Sequence, residues 1–106
     1  MTIVEVLRAA RAKITDPKHW TRHVNARDAD GEPISPSDPS AVCWCSYGAI
    51  AAVDPEDDAG TNACDFLHDA AREKTGHWGV SALNDDGEHS DVLSMFDRAI
   101  ELAESH

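Results

Sequence analysis

The chain is short of several things, and each shortage narrows what it can be. No apolar run reaches the ~20 residues that a membrane-spanning helix needs. The longest nearly uncharged stretch runs only from Ala41 to Val53. The N-terminus, Met1-Thr2-Ile3-Val4-Glu5-Val6, lacks the basic segment followed by an apolar segment that marks a secretory signal. Three cysteines, Cys43, Cys45 and Cys64, cannot all pair among themselves. Without an export signal they are expected to be reduced thiols of a cytoplasmic protein. Positive charge is scarce as well: nine Lys and Arg stand against twenty Asp and Glu, a formal net charge of −11. A field of that sign repels nucleic acid and anionic membrane and suits a basic protein surface. It also keeps a small protein soluble with no partner at all.

What is present fits one domain over residues 1–106, with 42% apolar residues to supply a modest core. The charge is uneven. Up to Arg27 six basic residues face two acidic ones; from Asp28 onward three basic residues face eighteen acidic ones.

Thr2 and Glu5 predict a capping box that opens a helix running to about Ile14, with Ile3, Leu7, Ala10 and Ile14 as its apolar stripe. Asp16-Pro17 stops that helix and caps a short turn through Trp20. Asp28-Ala29-Asp30-Gly31 is a turn sequence, and its flanks, His23 to Ala26 and Glu32 to Ile34, are expected to pair as a short hairpin. Asp38 as N-cap with Pro39 behind it predicts the start of a central helix that carries the uncharged stretch and ends at Asp54-Pro55. On it Val42, Cys45, Ala49 and Ala52 share one face. Asn62 is the expected cap of a third helix, with Ala63, Phe66, Leu67, Ala70 and Ala71 facing the core and Gly76 at its end. His77 to Leu83 reads equally as a helical turn or an extended connection, and Asn84-Asp85-Asp86-Gly87 as a turn. A last helix begins near His89 or Ser90, with Val92, Phe96, Ala99 and Ala103 as its stripe. The fold class is thus mainly α: a compact bundle of about four helices around a central apolar one, with a short β-hairpin or irregular excursion after the first.

Trp20-Thr21, Ala26-Arg27-Asp28-x-x-Gly31, Trp44-Cys45-x-x-Gly48-Ala49, Asn84-Asp85 and Phe96-Asp97-Arg98-Ala99-Ile100 form a set. Together they resemble a family of small bacterial and phage proteins classed as a domain of unknown function. The resemblance covers nearly the whole chain and implies a one-domain protein with no assigned activity and no catalytic residues to transfer. The pattern has a Thr capping the last helix; here Glu88 holds that place.

Two kinds of chemistry compete with a purely structural role. A thiol site would use Cys45 as nucleophile, His89 as base and Asn84 or Asp85 to orient the imidazole. Against it, Cys45 lies on the most apolar segment, where burial raises a thiol pKa. A metal site built from His19, His23, Cys43 and Cys45 fails on spacing, because residues two apart on a helix do not face the same way. No metal and no cofactor is therefore expected. Trp20 and Trp78, in connectors, are candidates to line a shared groove for a small molecule. Arg27 and Asp28 are polar landmarks, and Arg27 is expected to pair with a buried acidic residue. The leading functional expectation is a non-enzymatic interaction domain of bacterial or phage origin that meets a basic protein surface, and does not itself bind nucleic acid or membrane. In its specific form, charge mimicry blocks a nucleic-acid-binding host protein. The competing expectations are a small thiol hydrolase and a small-molecule binder.

Overall fold

The computed structural model describes all residues, 1–106, and its first helix, α1 (Ile3–Lys13), begins as expected. The Thr2 hydroxyl accepts the Glu5 N–H at 3.1 Å, and the Glu5 carboxylate accepts the Thr2 N–H at 2.8 Å. Those reciprocal bonds hold the Glu5 carboxyl below its ordinary pKa. Val6, Leu7, Ala10 and Ile14 are completely buried. Asp16 caps a single 3-10 turn, Pro17–His19, by accepting the Lys18 N–H at 2.9 Å.

The excursion differs from the expected hairpin. The Asp28–Gly31 turn is present, with Gly31 at φ 83 and its N–H donating to the Asp28 carbonyl at 3.0 Å. The arm after it meets the arm before it through an isolated bridge of Arg27 with Pro33, flanked by the Ile34 N–H to Ala26 carbonyl and Asp28 N–H to Glu32 carbonyl bonds, both at 3.0 Å. The ladder proper joins β1 (Ala26–Arg27) to β2 (Cys43–Trp44), antiparallel, with Ala26 opposite Trp44 and Arg27 opposite Cys43. Pro33 cannot donate to a ladder, so its segment is left at the edge.

The central helix is correspondingly shorter than expected. Asp38 does not start a helix: its carboxylate accepts the Ser40 N–H at 2.8 Å and its carbonyl the Ala41 N–H at 3.0 Å, which closes a turn. Val42, Cys43 and Trp44 then run extended, because their backbone groups pair with residues 25–27: Val42 N–H to the Arg27 carbonyl at 2.9 Å, Cys45 N–H to the Asn25 carbonyl at 3.1 Å. β-Branched and aromatic residues suit that geometry. The helix α2 (Ser46–Val53) starts only after Cys45 and buries Ser46, Gly48, Ala49 and Ile50. Val42, expected on its buried face, is 42% exposed.

The third helix, α3 (Gly60–Thr75), begins two residues before Asn62. The preceding loop fixes its start: the Asp54 carboxylate accepts from the Asp58 and Ala59 amides just before the helix, and Asp57 from the Thr61 amide in its first turn. Those donors hold the Asp54 carboxyl below its ordinary pKa. Gly76 ends α3 at φ 88, as expected of a C-terminal glycine. The ambiguous stretch that follows is a fifth helix, α4 (Val80–Asp86), so Asn84 and Asp85 stand in a last helical turn rather than in a loop. α5 (His89–Glu104) completes the bundle, with the Glu88 N–H bonded to the Asp91 carboxylate at 3.0 Å.

All five helices contribute to one cluster of 17 buried apolar residues, from Leu7 and Ile14 through Ile50 and Leu67 to Leu83 and Phe96. Fully burying a side chain such as Leu67 is worth about 2 kcal/mol. α3 packs most extensively against α5, and α1 packs against α2, α5 and α3. No helix is long and apolar enough to cross a membrane.

Gly48 is fixed by this arrangement. A Cβ there would collide with the Asn25 carbonyl, which is held in place by Cys45 N–H. Replacing Gly48 with Ala should therefore lower stability by about 3 kcal/mol, read by chemical denaturation. A change within about 0.5 kcal/mol would show that the loop and α2 do not approach this closely.

Candidate functional site

Asn84 is 1% exposed and holds together three parts of the chain. Its Oδ1 accepts from the Ser46 N–H at 3.0 Å, the Ser46 hydroxyl at 2.7 Å and the Trp20 indole N–H at 2.9 Å. Its Nδ2 donates to the Thr21 carbonyl and to the Asp85 carboxylate, both at 3.1 Å. The Ser46 amide is the first of α2 and has no partner within the helix, so Asn84 supplies from α4 what a local cap would otherwise supply. Both hydrogens of the amide and its oxygen are engaged, which is what a buried amide requires.

Asp85 extends the same clamp. Its Oδ1 accepts the His23 N–H at 2.8 Å, and its Oδ2 lies 3.6 Å from His23 Nδ1. His23 sits at φ 73, in the left-handed region unusual for a residue with a side chain, and this pair of contacts holds it there.

Cys45 is the N-cap of α2. Its Sγ accepts the Gly48 N–H at 3.3 Å and lies 3.6 Å from Asn25 Oδ1. Burial pushes the thiol above its ordinary pKa, outweighing the stabilisation of a thiolate by the Gly48 and Tyr47 amides; the nearby Asp85 charge pushes the same way. Cys64 is pushed up further, to about 11, again chiefly by burial. Cys45, Asn84 and Asp85 line one cleft between α2, α4 and the 23–25 loop, together with His23, Asn25 and Tyr47.

His89 is not at that cleft. Its Nε2 lies 2.7 Å from the Ile14 carbonyl, and its ring packs against Trp20 at 5.3 Å, so the imidazole ties the start of α5 to the end of α1. The imidazole facing the cleft belongs to His23, which the sequence does not single out for this role. Its partner is 62 residues away, and no local spacing signals the contact.

Trp20 is anchored by Asn84 and covered by the Arg22 guanidinium at 4.5 Å. Trp78 is 39% exposed beside His77. Neither tryptophan is among the residues lining the surface cavities. Arg27 meets no carboxylate, contrary to expectation. It donates to the Thr21 hydroxyl, the Gly31 carbonyl and the Arg22 carbonyl, because β1 lies where only backbone and hydroxyl acceptors are in reach. Asp28 accepts the Asp30 and Glu32 amides within its turn. No three His, Cys, Asp or Glu side chains stand close enough together to hold a metal ion.

Part of the set that carries the resemblance meets in one place, while Phe96 to Ile100 lie apart from it on α5. Trp20, Thr21, Trp44, Cys45, Asn84 and Asp85 bind the 20–27 segment to the start of α2, and Arg27 closes its far end. This defines a small, mainly α domain whose distinctive residues are used to hold a polar segment on a helical core. The chain belongs to a family of unknown function, DUF6197, whose model matches residues 1–102. No curated protein and no solved structure matches it.

Replacing Asn84 with Ala strands the Ser46 and Trp20 donors in a buried place and should cost on the order of 3 kcal/mol in a denaturant melt. A loss below about 1 kcal/mol would remove the clamp from the account. In a chain whose Cys43 and Cys64 are replaced by Ala, native Cys45 should alkylate more slowly than free cysteine at pH about 8, and at the free rate once unfolded. Faster reaction in the native state would contradict its role as a half-buried cap.

Proposed function

We propose that the protein is a non-enzymatic interaction domain whose carboxylate-rich surface meets a basic protein partner. One observation carries this reading: seven of the nine Lys and Arg side chains, all but Lys18 and Arg72, are engaged within the chain, whereas many of the carboxylates are not. Arg8 pairs with Glu104 at 3.0 Å, Arg11 with Asp97 at 2.7 Å, Arg98 with Glu73 at 3.2 Å, and Lys74 lies 3.7 Å from Asp91. Lys13 lies over the Trp44 ring at 4.2 Å, Arg22 over Trp20, and Arg27 serves its turn. Asp30, Glu32, Glu56, Asp58, Asp65, Asp69 and Asp86 have no such partner and stand exposed. Such a surface accelerates encounter with a basic partner and disfavours phosphate backbones. A protein derived from a phage or mobile element, occupying the basic face of a host nucleic-acid-binding protein, is the specific form of this reading.

A second reading draws on Cys45, Asn84 and Asp85 lining one cleft: a thiol enzyme in which His23, rather than His89, would take the proton. The raised thiol pKa and the structural engagement of Asn84 favour the first reading over it.

The tagged protein should retain a basic partner, identifiable by mass, at about 50 mM salt and release it by about 500 mM, as screening shortens the reach of surface charge. Absence of a partner at low salt, or retention unchanged by salt, would contradict the reading.

A further inference from the structure

One pair of the unpaired carboxylates borders a hollow whose lining is completed by the apolar Ile3 and Phe66 and the polar Asn62 and His106. Between the first turn of α1 and the outer face of α3 lies a groove of about 750 Å³, mouth included, the roomiest concavity of the surface. Ile3 and Phe66, both partly buried against the core, form its apolar lining. Asp65 and Asp69 stand four apart on α3, which puts them on the same helical face. Neither makes an ion pair, and α3 carries no Lys or Arg before Arg72. On the other side of α1 the situation is reversed: Arg8 and Arg11 neutralise Glu104 and Asp97 of α5. His106 closes one end of the groove with its ring edge against Phe66 at 5.4 Å.

We infer that this groove between α1 and α3 is the docking site for a basic amphipathic helix of a partner protein, an inference that rests on the interaction reading above. Cations one helical turn apart on the partner meet Asp65 and Asp69, and an aliphatic side chain between them covers Ile3 and Phe66. Helix-in-groove recognition uses this spacing of anchors. A second copy of the chain does not suit the groove, because each copy carries a net charge of −11. A bare cation would leave the apolar lining uncovered.

The test uses a fluorescein-labelled synthetic helix with arginines four residues apart and leucines between them, titrated by anisotropy into the full chain at about 50 mM salt. Asp65→Asn with Asp69→Asn removes the groove charges without changing side-chain size. Asp30→Asn with Glu32→Gln removes two charges from the excursion instead. The groove variant should weaken binding about tenfold or more and the excursion variant less than about twofold. Amide shifts in the unmodified chain should cluster on residues of α1 and α3. Equal weakening by both variants would overturn the groove while leaving a general acidic docking surface standing. No binding of the probe at low salt would overturn the groove, and the salt-dependent partner experiment then decides the broader reading separately. Dimerisation of the free chain through the same face would overturn it also.

Discussion

One buried amide organises the polar half of this protein. Asn84 stands at the end of a helix of only seven residues, yet it caps a different helix, anchors a tryptophan and fixes the carbonyl of Thr21. A buried amide left unpaired is costly, so each of these bonds depends on the others being made at the same time. The consequence is a long excursion that behaves as part of the core although it contributes few apolar side chains. Ala26 lies on it, and β2 with Trp44 follows from it, because the backbone of residues 42–45 finds its partners there.

That dependence explains where the sequence could be read and where it could not. α1, α3 and α5 are legible because their signals are local: a capping box at Thr2 and Glu5, a left-handed glycine at Gly76, and apolar stripes with helical period. The start of α2 is misread because Asp38-Pro39 carries a helix-start pattern that a turn satisfies as well. What moves the true start to Ser46 is a pairing with residues 25–27, about seventeen positions away in the chain. The apolar Val42-Cys43-Trp44 run is compatible with either state, and the partner decides it. Tertiary hydrogen bonding overrides local propensity here, as it commonly does in short uncharged segments.

The site shows the same division. Cys45, Asn84 and Asp85 stand out in the sequence and share a cleft in the structure. What no spacing reveals is that Asn84 is saturated, that His89 is turned to the Ile14 carbonyl, and that His23 takes its place at the cleft. The residues look like a reaction centre because clamps and reaction centres both need polar groups aimed at one another. The Asn84 oxygen and both of its amide hydrogens are already bonded to Trp20, Ser46, Thr21 and Asp85, so none is bonded to an imidazole. Charge has the complementary story, since most of the few cations, all but Lys18 and Arg72, are spent on ion pairs, ring faces and turn carbonyls, and an acidic surplus is left on the surface.

The most direct measurement of this account is native-state hydrogen exchange at two protons, the Ser46 amide and the Trp20 indole N–H. If the Asn84 clamp is part of the global fold, both exchange only through the unfolding that also releases the core amide of Leu67, with the same dependence on denaturant. If either proton exchanges quickly and independently of denaturant, the excursion opens by itself, and the clamp does not hold the structure together.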